Sequence, residues 1–133
     1  MGGRFPVSAH TDRYENAVTR CFDAWNARES EALARAVAVA WAPQGGYTDP
    51  LADVRGHEGV VAVVAAAQAQ FPGFVFRLTG AVDGHHDTAR FSRELVSETD
   101  GEAPVAGSDV IILDAEGRIT SALGFLDRVP ATA

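Results

Sequence analysis

Two aspartates stand where a carboxylate can do chemistry. Asp49 ends the stretch Gly45-Gly46-Tyr47-Thr48-Asp49 and is followed by Pro50. The glycines let the chain turn freely, Tyr-Thr prefers extended backbone, and Pro50 keeps Asp49 out of the helical region. One carboxylate is thereby fixed on stiff, locally specified backbone, although an Asp before Pro also suits a turn closed on its own backbone. The second, Asp109, heads the run Val110-Ile111-Ile112-Leu113. Strand parity sets Asp109, Ile111 and Leu113 on one face, with Val110 and Ile112 on the other. Burying an ionised carboxylate there is costly, so desolvation favours the neutral acid; a strand end that reaches water is the alternative.

Other side chains qualify for support. Ala89, Phe91, Arg93 and Leu95 share the apolar face of one strand, which directs Arg93 toward a pocket, its rim, or an acidic neighbour. Arg90 and Glu94, on the opposite face, read as a structural pair. His85 and His86 are adjacent and point to opposite faces, so they do not both bind one metal ion with His57; they read as a hairpin-end pair in solvent or as a single pocket histidine, with His86 the candidate. Trp25 and Trp41 are core residues that could also wall a ring-containing ligand. The sequence contains no phosphate-binding glycine loop, CxxC pattern or Ser-His-Asp set. No metal or cofactor is expected.

The elements that must position these residues follow from pattern. The 133-residue chain is 47% hydrophobic and 22% charged, as expected of one ordinary globular domain with a real core. Its net charge of −7 weighs against nucleic acid or an anionic membrane as the main partner. Cys21 is the sole cysteine, which rules out an intrachain disulfide and suits a reducing cytoplasm. There is no signal-like or membrane-spanning apolar run.

Residues 1–11 read as a flexible arm and residues 12–130 as a single domain. Asp12 with Glu15 has the form of a capping box for a first helix, striped by Tyr14, Val18, Cys21, Phe22 and Trp25. A second helix starts at Ser30, stacks Leu33, Val37 and Trp41, and stops at Pro43. A third spans His57 to Phe71. The period then changes to two: strands from Phe74, from His85 to Ser97, from Val105 to Leu113 and from Ile119 to Leu126 are separated by turns at Asp83-Gly84, Asp100-Gly101 and Glu116-Gly117. Helices followed by an antiparallel meander make an α+β fold, three N-terminal helices on a strongly curved four-stranded sheet. Val110 and Ile112 leave the outer face apolar, which predicts a homodimer through that face.

Arg20-Cys21-Phe22-Asp23-Ala24-Trp25-Asn26-Ala27, Tyr47-Thr48-Asp49-Pro50 and Asp109 through Ile119 resemble ketosteroid isomerases of the nuclear transport factor 2-like superfamily. His85 through Phe91 and Gly124 through Pro130 resemble its SnoaL-like polyketide cyclase branch more closely. The resemblance covers Asp12 to Pro130 and implies a conical pocket between curved sheet and helices. It places Asp49 on a general base that moves a proton next to a carbonyl, and Asp109 on a protonated acid that donates to the oxyanion. The family's oxyanion tyrosine falls on Cys21, a poor donor, so Tyr47 is the candidate hydroxyl. The candidate catalytic set is Asp49, Asp109 and Tyr47. The candidate substrate-binding set is Trp25, Trp41, Phe91, Arg93, His86 and Phe125. The implied activity is cofactor-independent cyclisation or isomerisation of a small, hydrophobic, ring-containing or polyketide-like molecule in secondary metabolism. Epoxide opening and a non-catalytic binding module are the alternatives.

Overall fold

The computed structural model describes residues 7–130, with side-chain environments from Arg13 onward. Three helices, α1 (Val7–Asn26), α2 (Ser30–Ala40) and α3 (Gly56–Gln70), pack against one face of a sheet. Its strands are β1 (Trp41–Asp49), β2 (Ala52–Arg55), β3 (Phe74–His85), β4 (Thr88–Ser97), β5 (Val105–Leu113) and β6 (Ile119–Arg128). Their spatial order is β2-β1-β6-β5-β4-β3. Among the described residues only β1 and β6 run parallel, and the other pairings are antiparallel. The α+β class and the meander of β3 to β6 are as the sequence predicts.

The strand count is not: among the described residues the sheet has six strands. β1 contains Pro43, Gly45 and Gly46, which weaken any strand signal. It tolerates them because its register against β6 shifts between Trp41 and Gly46, where a bulge relieves the ladder. Trp41 is accordingly not in α2. It caps that helix in an extended conformation, with its N–H on the Val37 carbonyl, and opens β1.

The first helix begins at Val7, so residues 7–11 of the expected arm are helical; residues 1–6, and the side chain of Asp12 in the expected capping box, lie outside the described residues. The β3–β4 turn falls at His86-Asp87, where His86 has φ 50°, rather than at Asp83-Gly84. Gly84 serves a close approach instead: a Cβ there would lie 2.5 Å from the Tyr14 ring. Arg90 and Glu94 do not pair with each other. Arg90 meets Asp83 at 3.2 Å, across the β3–β4 ladder, and Glu94 meets Arg128 at 3.1 Å.

The core lies between sheet and helices. Tyr14, Val18, Cys21, Leu33, Val37 and Val64 from the helices meet Trp41, Phe91, Ile111 and Ile119 from the sheet. Ile111 is fully buried while its neighbour Ile112 is exposed, as strand parity requires. Among the described residues no helix is long and apolar enough to cross a membrane.

Candidate functional site

The cavity forms where β1 ends, α3 crosses it, and β4, β5 and β6 curve beneath. Its volume is about 280 Å³. Trp25, Phe71, Phe76, Leu95 and the Val63–Ala67 side of α3 make apolar walls, while Leu51 and Leu126 stand at an open rim. Polar groups reach it from Tyr47, Asp49, Arg93 and Gln70. The Trp25 ring packs edge-on against Tyr47 at 5.3 Å and tilted against Phe76 at 4.9 Å, which fixes the wall.

Tyr47 and Asp49 share the inner face of β1 because they are two residues apart in a strand. Asp49 closes the turn expected of an Asp before Pro: its Oδ1 accepts from the backbone N–H of Leu51 at 2.8 Å and of Ala52 at 2.9 Å. It also faces the cavity, and its Oδ2 accepts from the Tyr47 hydroxyl at 2.8 Å. The turn and the site are thus one device. The backbone holds one carboxylate oxygen and leaves the other to the cavity. Burial, and then the negative charge of Asp109, push the Tyr47 hydroxyl well above its ordinary pKa, so it remains a proton donor.

Arg93 is the second polar centre. Its side chain is 9% exposed, and its Nε donates to Asp109 Oδ1 at 3.0 Å. Asp109 is almost completely buried behind it and does not line this cavity. Burial raises the Asp109 pKa above its ordinary value, and the Arg93 cation offsets only part of that rise. Arginine keeps its proton in proteins, so a neutral Asp109 would leave a buried cation without a counter-ion. Two glycines make the seat. A Cβ at Gly107 would lie 2.8 Å from Arg93 Nη1 and 2.5 Å from the Phe125 carbonyl. A Cβ at Gly124 would lie 2.9 Å from the Tyr47 hydroxyl, 3.2 Å from Asp109 Oδ1 and 3.4 Å from Arg93 Nη2. Any side chain at Gly124 would therefore occupy the point on which all three groups converge.

Of the residues singled out from sequence, Asp49, Tyr47, Trp25 and Arg93 come together in the cavity. The others stand elsewhere. Trp41 is wholly buried, with its indole N–H on the Gly46 carbonyl at 3.1 Å. Phe91 packs against Phe22 in the core. His86 sits in the exposed β3–β4 turn, where its carbonyl accepts from Arg13 and Tyr14. Phe125 is 56% exposed on the outer face, because its neighbour Gly124 takes the inward position. Cys21 is a buried core thiol outside the cavity lining, and burial holds its pKa far above the ordinary thiol range. Among the described residues no three His, Cys, Asp or Glu side chains are grouped to hold a metal ion.

Sequence reasoning missed the α3 side chains, Phe71, Phe76, Leu95, Val105, the rim residues Leu51 and Leu126, and the two glycines. α3 is rich in Val and Ala on all sides, so no stripe marks its cavity face. Leu95 shared the parity of Arg93, which was a usable signal.

Comparison with known proteins agrees with this architecture. Residues 18–122 match the SnoaL-like domain family. A proposed isomerase of the SnoaL-like family from Agrobacterium tumefaciens strain C58 is 39% identical, with a TM-score of 0.81 over 86% of this chain and 97% of that one. A proposed SnoaL-like polyketide cyclase from Jannaschia sp. CCS1 is 17% identical, with a TM-score of 0.73 over 96% of this chain and 92% of that one. An NTF2-like protein of unknown function from Cytophaga hutchinsonii is 15% identical, with a TM-score of 0.60 over 86% of this chain and 89% of that one. The last two likenesses concern the fold alone. No functionally curated protein matches the chain. The match across most of the domain, together with the 39% identity, makes this chain a member of the SnoaL-like family.

Proposed function

We propose that the protein is a cofactor-independent acid–base enzyme, an isomerase or cyclase acting on a small apolar carbonyl compound. One observation carries this reading: the Asp49 carboxylate and a buried cation, Arg93, share one apolar-walled cavity. Asp49 takes a proton from the carbon next to the carbonyl. The C–H electron pair becomes a C=C bond, and the carbonyl π pair moves onto oxygen, where hydrogen-bond donors meet the charge. Return of the proton to another carbon completes an isomerisation; attack of the enolate carbon on a second carbonyl closes a ring. A positioned general base typically contributes about 10²–10⁴-fold. The isomerase and cyclase names of the relatives, and a place in secondary metabolism, fit this chemistry. Incubating the protein with a panel of small ketones in D₂O and following deuterium at the α-carbon by NMR tests it. Catalysed exchange is expected, and no exchange above buffer for any ketone would overturn it.

A second reading, epoxide opening, is favoured by the Arg93–Asp109 ion pair standing near Asp49 and Tyr47. There Asp49 would take a proton from water as the water attacks an epoxide carbon. That carbon's bond to the ring oxygen breaks, the electron pair goes to the oxygen beside Arg93, and the oxygen takes a proton from solvent. Conversion of a cyclic epoxide to its diol, without ketone exchange, would select it. The open cavity weighs against a purely partner-binding module.

Assembly belongs to the same proposal. Two copies pair through the outer sheet face, where Phe125 and Ile112 are exposed beside half-buried Val110 and Leu123. The lone, buried Cys21 suits a reducing cytoplasm.

A further inference from the structure

We propose that the Nη edge of Arg93 is a carbonyl-binding subsite, that Asp109 is its positioning residue, and that the subsite admits uncharged ketones of one to two rings while rejecting carboxylates. The ketone part of this inference rests on the acid–base reading above.

A guanidinium carries five N–H donors in a fixed fork. In Arg93 the Nε donor goes to Asp109, and neither Nη nitrogen has an acceptor among the described residues. This side chain is nine-tenths buried and lines the cavity. Donors of a buried cation without protein acceptors are aimed at an oxygen of something else. The fork is held on both sides. Asp109 fixes Nε, while Gly107 and Gly124 leave the space in which Nη1 and Nη2 lie. The neighbouring hydroxyl, Tyr47, is already engaged with Asp49 Oδ2, which leaves Arg93 as the free donor at this end.

Charge then chooses between acceptors. Arg93 and Asp109 form a neutral pair, and Asp49, acting as a base, adds one negative charge. Among the described residues the one other ionisable side chain in the lining is Tyr47, whose hydroxyl burial keeps protonated and neutral. A ligand carboxylate would meet Arg93 but also two anions in an apolar enclosure, so repulsion and desolvation outweigh the attraction. A ketone oxygen accepts the same hydrogen bonds without carrying charge in. Size sets the rest. A cavity of about 150 Å³ holds benzene; one of about 280 Å³ takes roughly a second ring.

The test uses 2-tetralone, a bicyclic ketone, and 2-naphthoate, a carboxylate of similar size. Titration calorimetry on the wild-type protein should give a Kd at least about tenfold lower for 2-tetralone. In Asp49→Asn the 2-naphthoate affinity should rise about tenfold or more, with 2-tetralone little changed. Equal or tighter binding of 2-naphthoate by the wild type would overturn the proposal. Infrared spectra of bound carbonyl-labelled 2-tetralone identify the donor. Arg93→Lys keeps a cation beside Asp109 but removes the fork, so the carbonyl stretch should rise in frequency; an unchanged stretch would assign the donor elsewhere and overturn the subsite. Asp109→Asn retains an acceptor for Nε and should keep the low frequency, whereas Asp109→Leu removes the acceptor and should raise it; an unchanged stretch in a folded Asp109→Leu would overturn the positioning role. Should Arg93→Lys fail to fold, the double variant Arg93→Met/Asp109→Leu removes both charges together and carries the same expectation. These measurements read affinity and carbonyl polarisation rather than the rate of proton transfer, so their failure would leave the base role of Asp49 standing, and loss of that role would leave the hydrogen-bonding subsite standing.

Discussion

Tyr47 and Asp49 lie two residues apart on the inner face of β1, and the Tyr47 hydroxyl donates to Asp49 Oδ2 across 2.8 Å. The other carboxylate oxygen is tied to the backbone at Leu51 and Ala52. A carboxylate held by three donors has one orientation, which is what the proposed proton transfer at a fixed carbon requires. Tyr47→Phe removes one of the three and leaves the ring in place. It is expected to cost about 0.5–1.5 kcal/mol in urea unfolding and to slow catalysis less than loss of Asp49 does. A variant as slow as Asp49→Asn would mean that Tyr47 itself transfers the proton.

The Arg93–Asp109 pair governs stability more than any exposed ion pair does, because both partners are buried. Asp109→Leu strands the cation and should cost about 3–5 kcal/mol in denaturant unfolding. Asp109→Asn keeps a hydrogen-bond acceptor and should cost less. The opposite ranking would show that Arg93 does not depend on this partner.

Gly124→Ala places a methyl group where Tyr47, Asp109 and Arg93 converge. Overpacking of this kind typically costs about 1–3 kcal/mol, and the methyl group also intrudes on the proposed carbonyl position. A folded variant with strongly reduced ketone binding is expected; unaltered binding would place the ligand elsewhere in the cavity.

The β5–β6 turn gives a pH prediction. Asp114 Oδ1 accepts from the N–H of Glu116 and of Arg118, and the Arg118 backbone bond is the main reason its pKa lies below the ordinary 3.8. A carboxyl depressed in the folded state stabilises above its unfolded pKa and loses that contribution as pH falls through the folded value. Asp114→Ala should therefore be destabilised at neutral pH, with the gap to wild type closing below about pH 4. Thermal melts between pH 2.5 and 7 check this, and a gap that widens in acid would contradict it.

What the sequence revealed depended on whether one residue's surroundings were local. Asp49 was legible because Tyr47, Thr48 and Pro50 specify its backbone directly. Arg93 and Asp109 were legible by parity alone. Their mutual hydrogen bond was not, since it depends on the β4–β5 register, which pairs Arg93 with Gly107 and Phe91 with Asp109. β1 stayed hidden because Pro43 and the two glycines disguise a bulged strand. Trp41 followed the helical spacing of Leu33 and Val37 for one residue too many, since both readings bury it. Gly84 looked like a turn because its service to the Tyr14 ring is a contact across the fold. The cavity face of α3 had no stripe to read.

Assembly is checked by light scattering. The exposed Ile112 and Phe125 predict a dimer that buries more than about 1,200 Å² in total. A monomer at high micromolar concentration would contradict it, and Phe125→Asp should dissociate the dimer.

The base role of Asp49 is tested most directly by the rate of α-deuterium exchange into 2-tetralone, wild type against Asp49→Asn, both confirmed as folded. The expected result is a fall of about 10²–10⁴-fold in kcat/KM with ligand Kd nearly unchanged. Near-complete retention of exchange by a correctly folded Asp49→Asn would contradict it.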